Sequence, residues 1–243
     1  MKIITVAAIK GGTGKTTTAA ALSQAARYKN KKVLAIDLDP QANLTFCLGA
    51  DQNAAGIYEV LHGEPLNIQT NDSGIDILSG NLNLSAEKTK AASITRLQAA
   101  LAQLPKKYDY IFIDTPPQMG EVTFNALQAS TDVIIPLLAD SFSLQGLYQI
   151  MDIIRQIQGH NTKLKVLGTV ITQYDRRPNI CRVFKSVIAD KGKEEGAPLL
   201  QTIRKSVVIE EAQGIQASLF DYAPRSKPAQ DYLSLYTTIS KRR

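Results

Sequence analysis

The chain has 243 residues, 44% hydrophobic and 21% charged, enough for one large domain or two small ones and for burying about 70% of the unfolded surface. That balance excludes a disordered, collagen-like or coiled-coil chain, and no apolar run approaches the roughly 18 residues of a membrane span. The net charge of +6 is uneven, with a net −1 in residues 1–160 and a net +7 in residues 161–243; this points to a polyanion partner, either nucleic acid or an anionic membrane surface, against the alternative of a solvated basic face.

In chain order, short apolar runs rich in β-branched residues alternate with longer amphipathic ones. The first run, residues 3–8, stops before Lys10 with no small-residue cleavage site behind it, so it reads as a buried strand and not as a secretory leader. Further strands are expected at 33–37, 75–78, 110–114, 133–138, 166–172 and 199–203. Helices are expected at 15–28, 56–61, 94–103, 122–129, 144–157, 180–190, 207–213 and 229–240. This alternation predicts an α/β fold of three layers, a mostly parallel twisted sheet with helices on both faces. Right-handed crossovers then bring the C-terminal ends of the strands to one edge, where ligands bind. Cys47 and Cys181 are 134 residues apart and the only histidines are His62 and His160, so a disulfide framework, a zinc site and a thiolate-bound cluster are excluded and two buried thiols are expected. No repeat or Pro/Gly/Ser linker divides the chain, and residues 1–243 read as a single unit.

Between the first strand and first helix stands Lys10-Gly11-Gly12-Thr13-Gly14-Lys15-Thr16-Thr17. Glycines let backbone N–H groups close around phosphate oxygens without a Cβ in the way, and a helix N-terminus adds about half a positive charge at the same place. Lys15 is placed to reach β- and γ-phosphates and the Thr16 hydroxyl to ligate Mg²⁺. The second strand runs out into Asp37-Leu38-Asp39-Pro40-Gln41-Ala42-Asn43-Leu44-Thr45, two acids beside the glycine loop that would hold Mg²⁺ waters or orient an attacking water. The fourth expected strand with its following turn, Tyr110-Ile111-Phe112-Ile113-Asp114-Thr115-Pro116-Pro117, runs into an acid that would accept a hydrogen bond from Thr16 or from a Mg²⁺-bound water.

These three motifs resemble the deviant Walker A family of P-loop ATPases that includes the ParA partition ATPases, MinD and the nitrogenase iron protein. The usual first glycine of the loop is Ile9 here, and Lys10 stands where that family carries an extra lysine. DLDPQANLT and DTPP resemble the ParA branch in particular, and the likeness extends more loosely over nearly the whole chain. It implies an ATPase, slow without its partner, that uses ATP and Mg²⁺ and forms a homodimer around nucleotide. Lys10 would act on the partner's phosphates, Asp39 in hydrolysis, and Thr16, Asp39 and Asp114 toward Mg²⁺. Gly11, Gly12, Thr13, Gly14, Lys15, Thr16 and Thr17 would hold the phosphates, Asp140 would lie at the dimer interface beside nucleotide, and Gln173 and Asp175 would meet the adenine. Basic residues near the end, Lys205, Arg225 and Lys227, would contact duplex DNA without sequence preference; Arg204 is set apart because it is equally suited to touch nucleotide. The resemblance further implies plasmid or chromosome partition, a ParB-like centromere-binding protein that stimulates hydrolysis, a cytoplasmic, nucleoid-associated location, and no N-terminal helix-turn-helix domain. Two rival classes are a MinD-like ATPase working on a membrane and a reductase like the nitrogenase iron protein. The first needs a terminal amphipathic anchor, whereas Leu233, Tyr236 and Ile239 suit a last helix packed on the core with only Lys241, Arg242 and Arg243 after it. The second needs a cluster cysteine, and neither cysteine stands in a resembling position.

Overall fold

The computed structural model describes residues 1–86, 94–105 and 107–242; Arg243 of the closing basic trio lies outside them. Eight strands form one sheet in the order β3-β4-β2-β5-β1-β6-β7-β8. They are β1 Lys2–Val6, β2 Val33–Asp37, β3 Gln69–Thr70, β4 Asp76–Leu78, β5 Tyr110–Asp114, β6 Asp132–Leu137, β7 Lys165–Tyr174 and β8 Leu199–Arg204. Every pairing is parallel except that of the two-residue edge strand β3 with β4. β1, β2 and β5 are buried along almost their whole length, which is why their sequences are continuously apolar instead of alternating. The helices are α1 Lys15–Tyr28, α2 Asn43–Cys47, α3 Ile57–Leu61, α4 Arg96–Ala102, α5 Glu121–Ala129, α6 Ser143–Gln158, α7 Asn179–Glu194, α8 Val207–Gly214, α9 Leu219–Tyr222 and α10 Lys227–Lys241. A 3₁₀ turn spans Leu82–Ala86.

The register carries the functional consequence. Val6 of β1 lies beside Asp114 of β5, which lies beside Asp37 of β2. The glycine loop and both acidic strand ends are therefore neighbours by backbone pairing alone. α1 follows the loop with an alanine-rich sequence, KTTTAAALSQAARY, that buries ten of its fourteen residues; alanine suits a helix and its small side chain allows close packing on the sheet.

β3, α2, α9 and the 3₁₀ turn were not expected from periodicity. Each is five residues or fewer, too short for an apolar period to register. The expected helix at 94–103 is observed as Arg96–Ala102. Cys47 is buried as expected but Cys181 is only half-buried, because α7 buries just Ile188 and Gly192.

α10 is part of the core. Tyr232, Leu235, Tyr236 and Ile239 are buried at a spacing of 3, 4 and 7, while Leu233 packs only partly. Ser226 caps its start by accepting the Ala229 amide at 3.4 Å. Its end is held by Lys2, which donates to the carbonyls of Ile239 (2.8 Å) and Arg242, and by Arg242, whose guanidinium donates to the Leu167 carbonyl. Among the described residues no helix is long and apolar enough to cross a membrane.

Candidate functional site

Gly12 and Gly14 have φ of 73° and 78°, a left-handed conformation that costs a residue with a Cβ and costs glycine little. The loop is strapped to the end of β7. The Thr172 hydroxyl donates to the Thr13 carbonyl at 2.7 Å, and the Gln173 amide donates to the Gly12 carbonyl at 2.8 Å. Gln173 itself sits at φ 50°, a left-handed position rare outside glycine and asparagine that clusters at functional sites. A Cβ on Gly14 would meet Thr172 at 3.4 Å, ordinary van der Waals contact, so the left-handed backbone and not the space calls for glycine there.

Lys15 is nearly buried. Burial lowers its pKa from the ordinary ammonium range, and the charges of Asp114 and Asp39 partly offset that. The Thr16 hydroxyl donates to Asp114 Oδ2 at 2.6 Å. Asp114 is fully buried and its Oδ1 has no hydrogen-bond partner. Burial first, and the Asp37 charge second, push its carboxyl well above the usual carboxylate range. An orphaned buried carboxylate oxygen beside a hydroxyl and an ammonium fits a hydrated divalent cation shared with phosphates. Among the described residues no cluster of three His, Cys, Asp or Glu is set to hold a metal by itself; that agrees with Mg²⁺ habits, since this ion takes one or two carboxylates plus phosphates and waters.

Both oxygens of Asp37 are occupied within its own turn. The Thr45 amide and hydroxyl donate to Oδ2, each at 2.8 Å, and the Asp39 amide donates to Oδ1 at 3.1 Å. Burial raises the Asp37 pKa to about 6. Asp39 differs: its Oδ1 accepts the Gln41 amide at 2.9 Å, and the residue lines a cleft of about 820 Å³ together with Gly11, Gly12, Gly14, Lys15, Thr16, Thr17, Pro116, Pro117, Glu121 and Gln173. A nucleotide-sized ligand requires such a volume.

Lys10 and Thr13 do not line this cleft. The Lys10 ammonium pairs with Asp140 Oδ2 at 2.5 Å and sits 5.5 Å from the ring centroid of exposed Phe142. Asp140 Oδ1 accepts the Ser143 hydroxyl (2.9 Å) and the Phe142 amide (3.1 Å). Partial burial raises its pKa, but the bonds from Lys10 and Ser143 outweigh that and hold it below the usual range. Asp140 is thus joined to the loop through Lys10.

Asp175 is not in the phosphate cleft. It lies in a second cleft of about 750 Å³ with Arg176, Arg177, Lys185, Arg204, Lys205 and Lys227, where hydrogen bonds from Arg177 lower its pKa to about 2. Arg204 is committed to Asp231 through two bonds, Nε to Oδ2 at 2.8 Å and Nη2 to Oδ1 at 2.6 Å. Lys205, Arg225 and Lys227 are exposed. Sequence reasoning gave no role to Thr45, Thr172 or Glu121. Thr45 closes the quoted DLDPQANLT string, which was the available signal; Glu121 carries no motif signal, although one of its oxygens is buried without a partner in the cleft wall.

A parallel sheet with a lysine-bearing glycine loop after β1 and an acid at the end of β5, hydrogen-bonded to the loop's threonine, defines a P-loop nucleotide-binding protein. Residues 1–166 match the family described as AAA domain. The chain is 34% identical over 254 residues to the sporulation initiation inhibitor protein Soj of Bacillus subtilis, covering 98% of each. Among solved structures it is similar to a cobyrinic acid a,c-diamide synthase from Mycobacterium smegmatis with bound ADP and magnesium (TM-score 0.85, 31% identity, 99% of this chain and 94% of that one). It is also similar to a Borrelia burgdorferi B31 protein described as a plasmid partition protein and bound to AMPPNP (TM-score 0.83, 28% identity, 99% and 98%). The chain belongs to the ParA/Soj partition ATPases of the ParA/MinD superfamily.

Proposed function

We propose that this chain is a single-unit, ATP-switched DNA-binding ATPase. It binds ATP with Mg²⁺ in the cleft beside the glycine loop, pairs with a second copy around the nucleotide, and in that state binds duplex DNA without sequence preference. Hydrolysis, stimulated by a ParB-like centromere-binding protein, releases it, and it works in the cytoplasm on the nucleoid in plasmid or chromosome partition. The observation that carries this reading is the Thr16–Asp114 pair with its orphaned oxygen next to buried Lys15.

The backbone amides of residues 11–17 and Lys15 hold the phosphates. Thr16 and Asp114 would hold Mg²⁺, with Asp39 turned toward the same place, and the ion would supply positive charge against the phosphates. Asp39 orients the attacking water, a task that needs a positioned carboxylate. Lys10, tied to Asp140 in the single chain, is freed to serve the partner's phosphates when two copies meet, a cation supplied in trans. Gln173, in the wall of the phosphate cleft, and Asp175, in the second cleft, would meet the base. Lys205, Arg225 and Lys227 contact DNA phosphates; Arg204, paired to Asp231, does not. α10 itself is folded onto the core and is not offered to a membrane surface.

Light scattering with a non-hydrolysable ATP analogue tests the pairing. Wild type should double its mass on adding analogue. Lys10→Ala should bind the analogue equally well and remain single; a variant that pairs normally would refute the trans role.

A further inference from the structure

We propose that Thr45 is a positioning residue for hydrolysis: it fixes Asp37, and through Asp37 the turn that carries Asp39. The proposal rests on the role given to Asp39 above. Thr45 is fully buried in α2, whose entry at Ala42 is left-handed, φ 51°. Its hydroxyl is a junction. It donates to Asp37 Oδ2 at 2.8 Å and accepts the Gly80 amide at 3.0 Å, while the Thr45 amide donates to the same Asp37 oxygen at 2.8 Å. Asp37 Oδ1 in turn takes the Asp39 amide at 3.1 Å. Both Asp37 oxygens are thus engaged inside the fold, and Asp37, unlike Asp39, does not line the cleft. Asp39 uses only Oδ1, on the Gln41 amide, and its Oδ2 makes no hydrogen bond among the described residues. Two acids two positions apart thus do different work, one as a scaffold and one at the reaction.

Packing agrees with the hydrogen bonds. Gly80 is pressed against the back of the acidic turn: a Cβ there would come 2.9 Å from the Asp39 carbonyl oxygen and 3.0 Å from the Asp37 carboxyl carbon. The far side of the turn is pinned by Gln52, whose amide donates to the Ala42 carbonyl at 2.9 Å. Three separate segments, around residues 45, 52 and 80, converge on residues 37–42. Such redundancy is what holding a reacting group within about 0.5 Å requires, and a displacement of about 1 Å at a positioned group costs roughly 10²-fold in rate. The Thr45 hydroxyl joins two of these supports.

The test compares Thr45→Val, Thr45→Ser and Asp39→Ala in single-turnover ATP hydrolysis and in ATP affinity by calorimetry. Valine keeps the shape and removes both hydroxyl bonds; serine keeps both. Thr45→Val should hydrolyse at least tenfold more slowly with ATP affinity within twofold of wild type, and Thr45→Ser should recover to within threefold of the wild-type rate. Should Thr45→Val fail to fold, Thr45→Ala is read by the same split. A Thr45 variant without the hydroxyl that hydrolyses at the wild-type rate while Asp39→Ala is inactive overturns the proposal alone. Loss of rate and affinity together in that variant also overturns it, since that marks general disruption. Undiminished hydrolysis by Asp39→Ala would instead remove the reading on which the proposal stands.

Discussion

Along the middle of the sheet edge, around β2, β5 and β1, the polar groups are buried and tied to one another; at the β8 end they are exposed and charged. In the first region Thr16 meets Asp114, Thr45 meets Asp37 and Thr172 meets the loop backbone, all buried or nearly so. In the second, Arg177 and Arg204 are neutralised by acids of their own chain while Lys205, Arg225 and Lys227 remain exposed without an ion pair among the described residues. Low dielectric and fixed geometry make each contact of the first region count. Solvent screening makes those of the second region additive and salt-dependent. Substitutions in the cleft should therefore act one residue at a time, and those on the basic face by their number.

The largest effect is expected at Asp39. Asp39→Ala should lower steady-state ATP hydrolysis by roughly 10²–10⁴-fold, the range for a lost acid–base group, with ATP still bound and the paired state prolonged. Next comes Lys15→Ala, which should weaken Mg-ATP binding by about 1.5–3 kcal/mol, the worth of a charged hydrogen bond; equal affinities by calorimetry would remove the glycine loop from the site. On the basic face, reversing Lys205, Arg225 and Lys227 together to Glu should abolish retention on random duplex DNA and leave ATP affinity unchanged, while each single reversal should act only in part. If one reversal alone matched the triple, the contrast between the two regions would fail.

The smallest effect is one of stability. Burial raises the Asp114 carboxyl above its unfolded value. A raised folded pKa means that the stability present below the unfolded pKa is lost as pH rises through the folded one. Ligand-free Asp114→Asn should then melt higher than wild type at neutral pH, by on the order of 1 kcal/mol or roughly 2–4 °C, with the gain gone near pH 3. Added Mg-ATP should stabilise wild type more than the variant. A difference independent of pH would show that the buried charge is not its source.

The same contrast governs what could be read before the fold was known. The glycine loop, Asp39 and Asp114 are legible because their work is done by short segments at strand ends, where spacing and placement coincide. Asp37 and Thr45 stand in one quoted string, yet their roles depend on Gly80, thirty-five residues on, and no local spacing reveals that. Lys10 is conspicuous in sequence, but its pairing with Asp140 joins positions 130 residues apart. The uneven charge was visible as an excess in residues 161–243, whereas which basic side chains are paired depends partly on the fold, as for Arg204 with Asp231 twenty-seven residues on. α2 and α9 show no apolar period within their one turn, whereas the equally short α3 has Ile57, Val60 and Leu61 buried at a spacing of 3 and 4.

The central claim is that nucleotide in the buried cleft governs the exposed basic face by pairing two copies. It is tested most directly by retention on random-sequence duplex DNA across a salt series, with and without a non-hydrolysable ATP analogue. Each neutralised phosphate contributes about −0.9 to the slope of log affinity against log salt, and two copies on one rigid body present twice the contacts. The account predicts tight binding only with analogue, and a salt slope about twice that of the weak binding without it. Equal affinity and equal slope in the two conditions would contradict it.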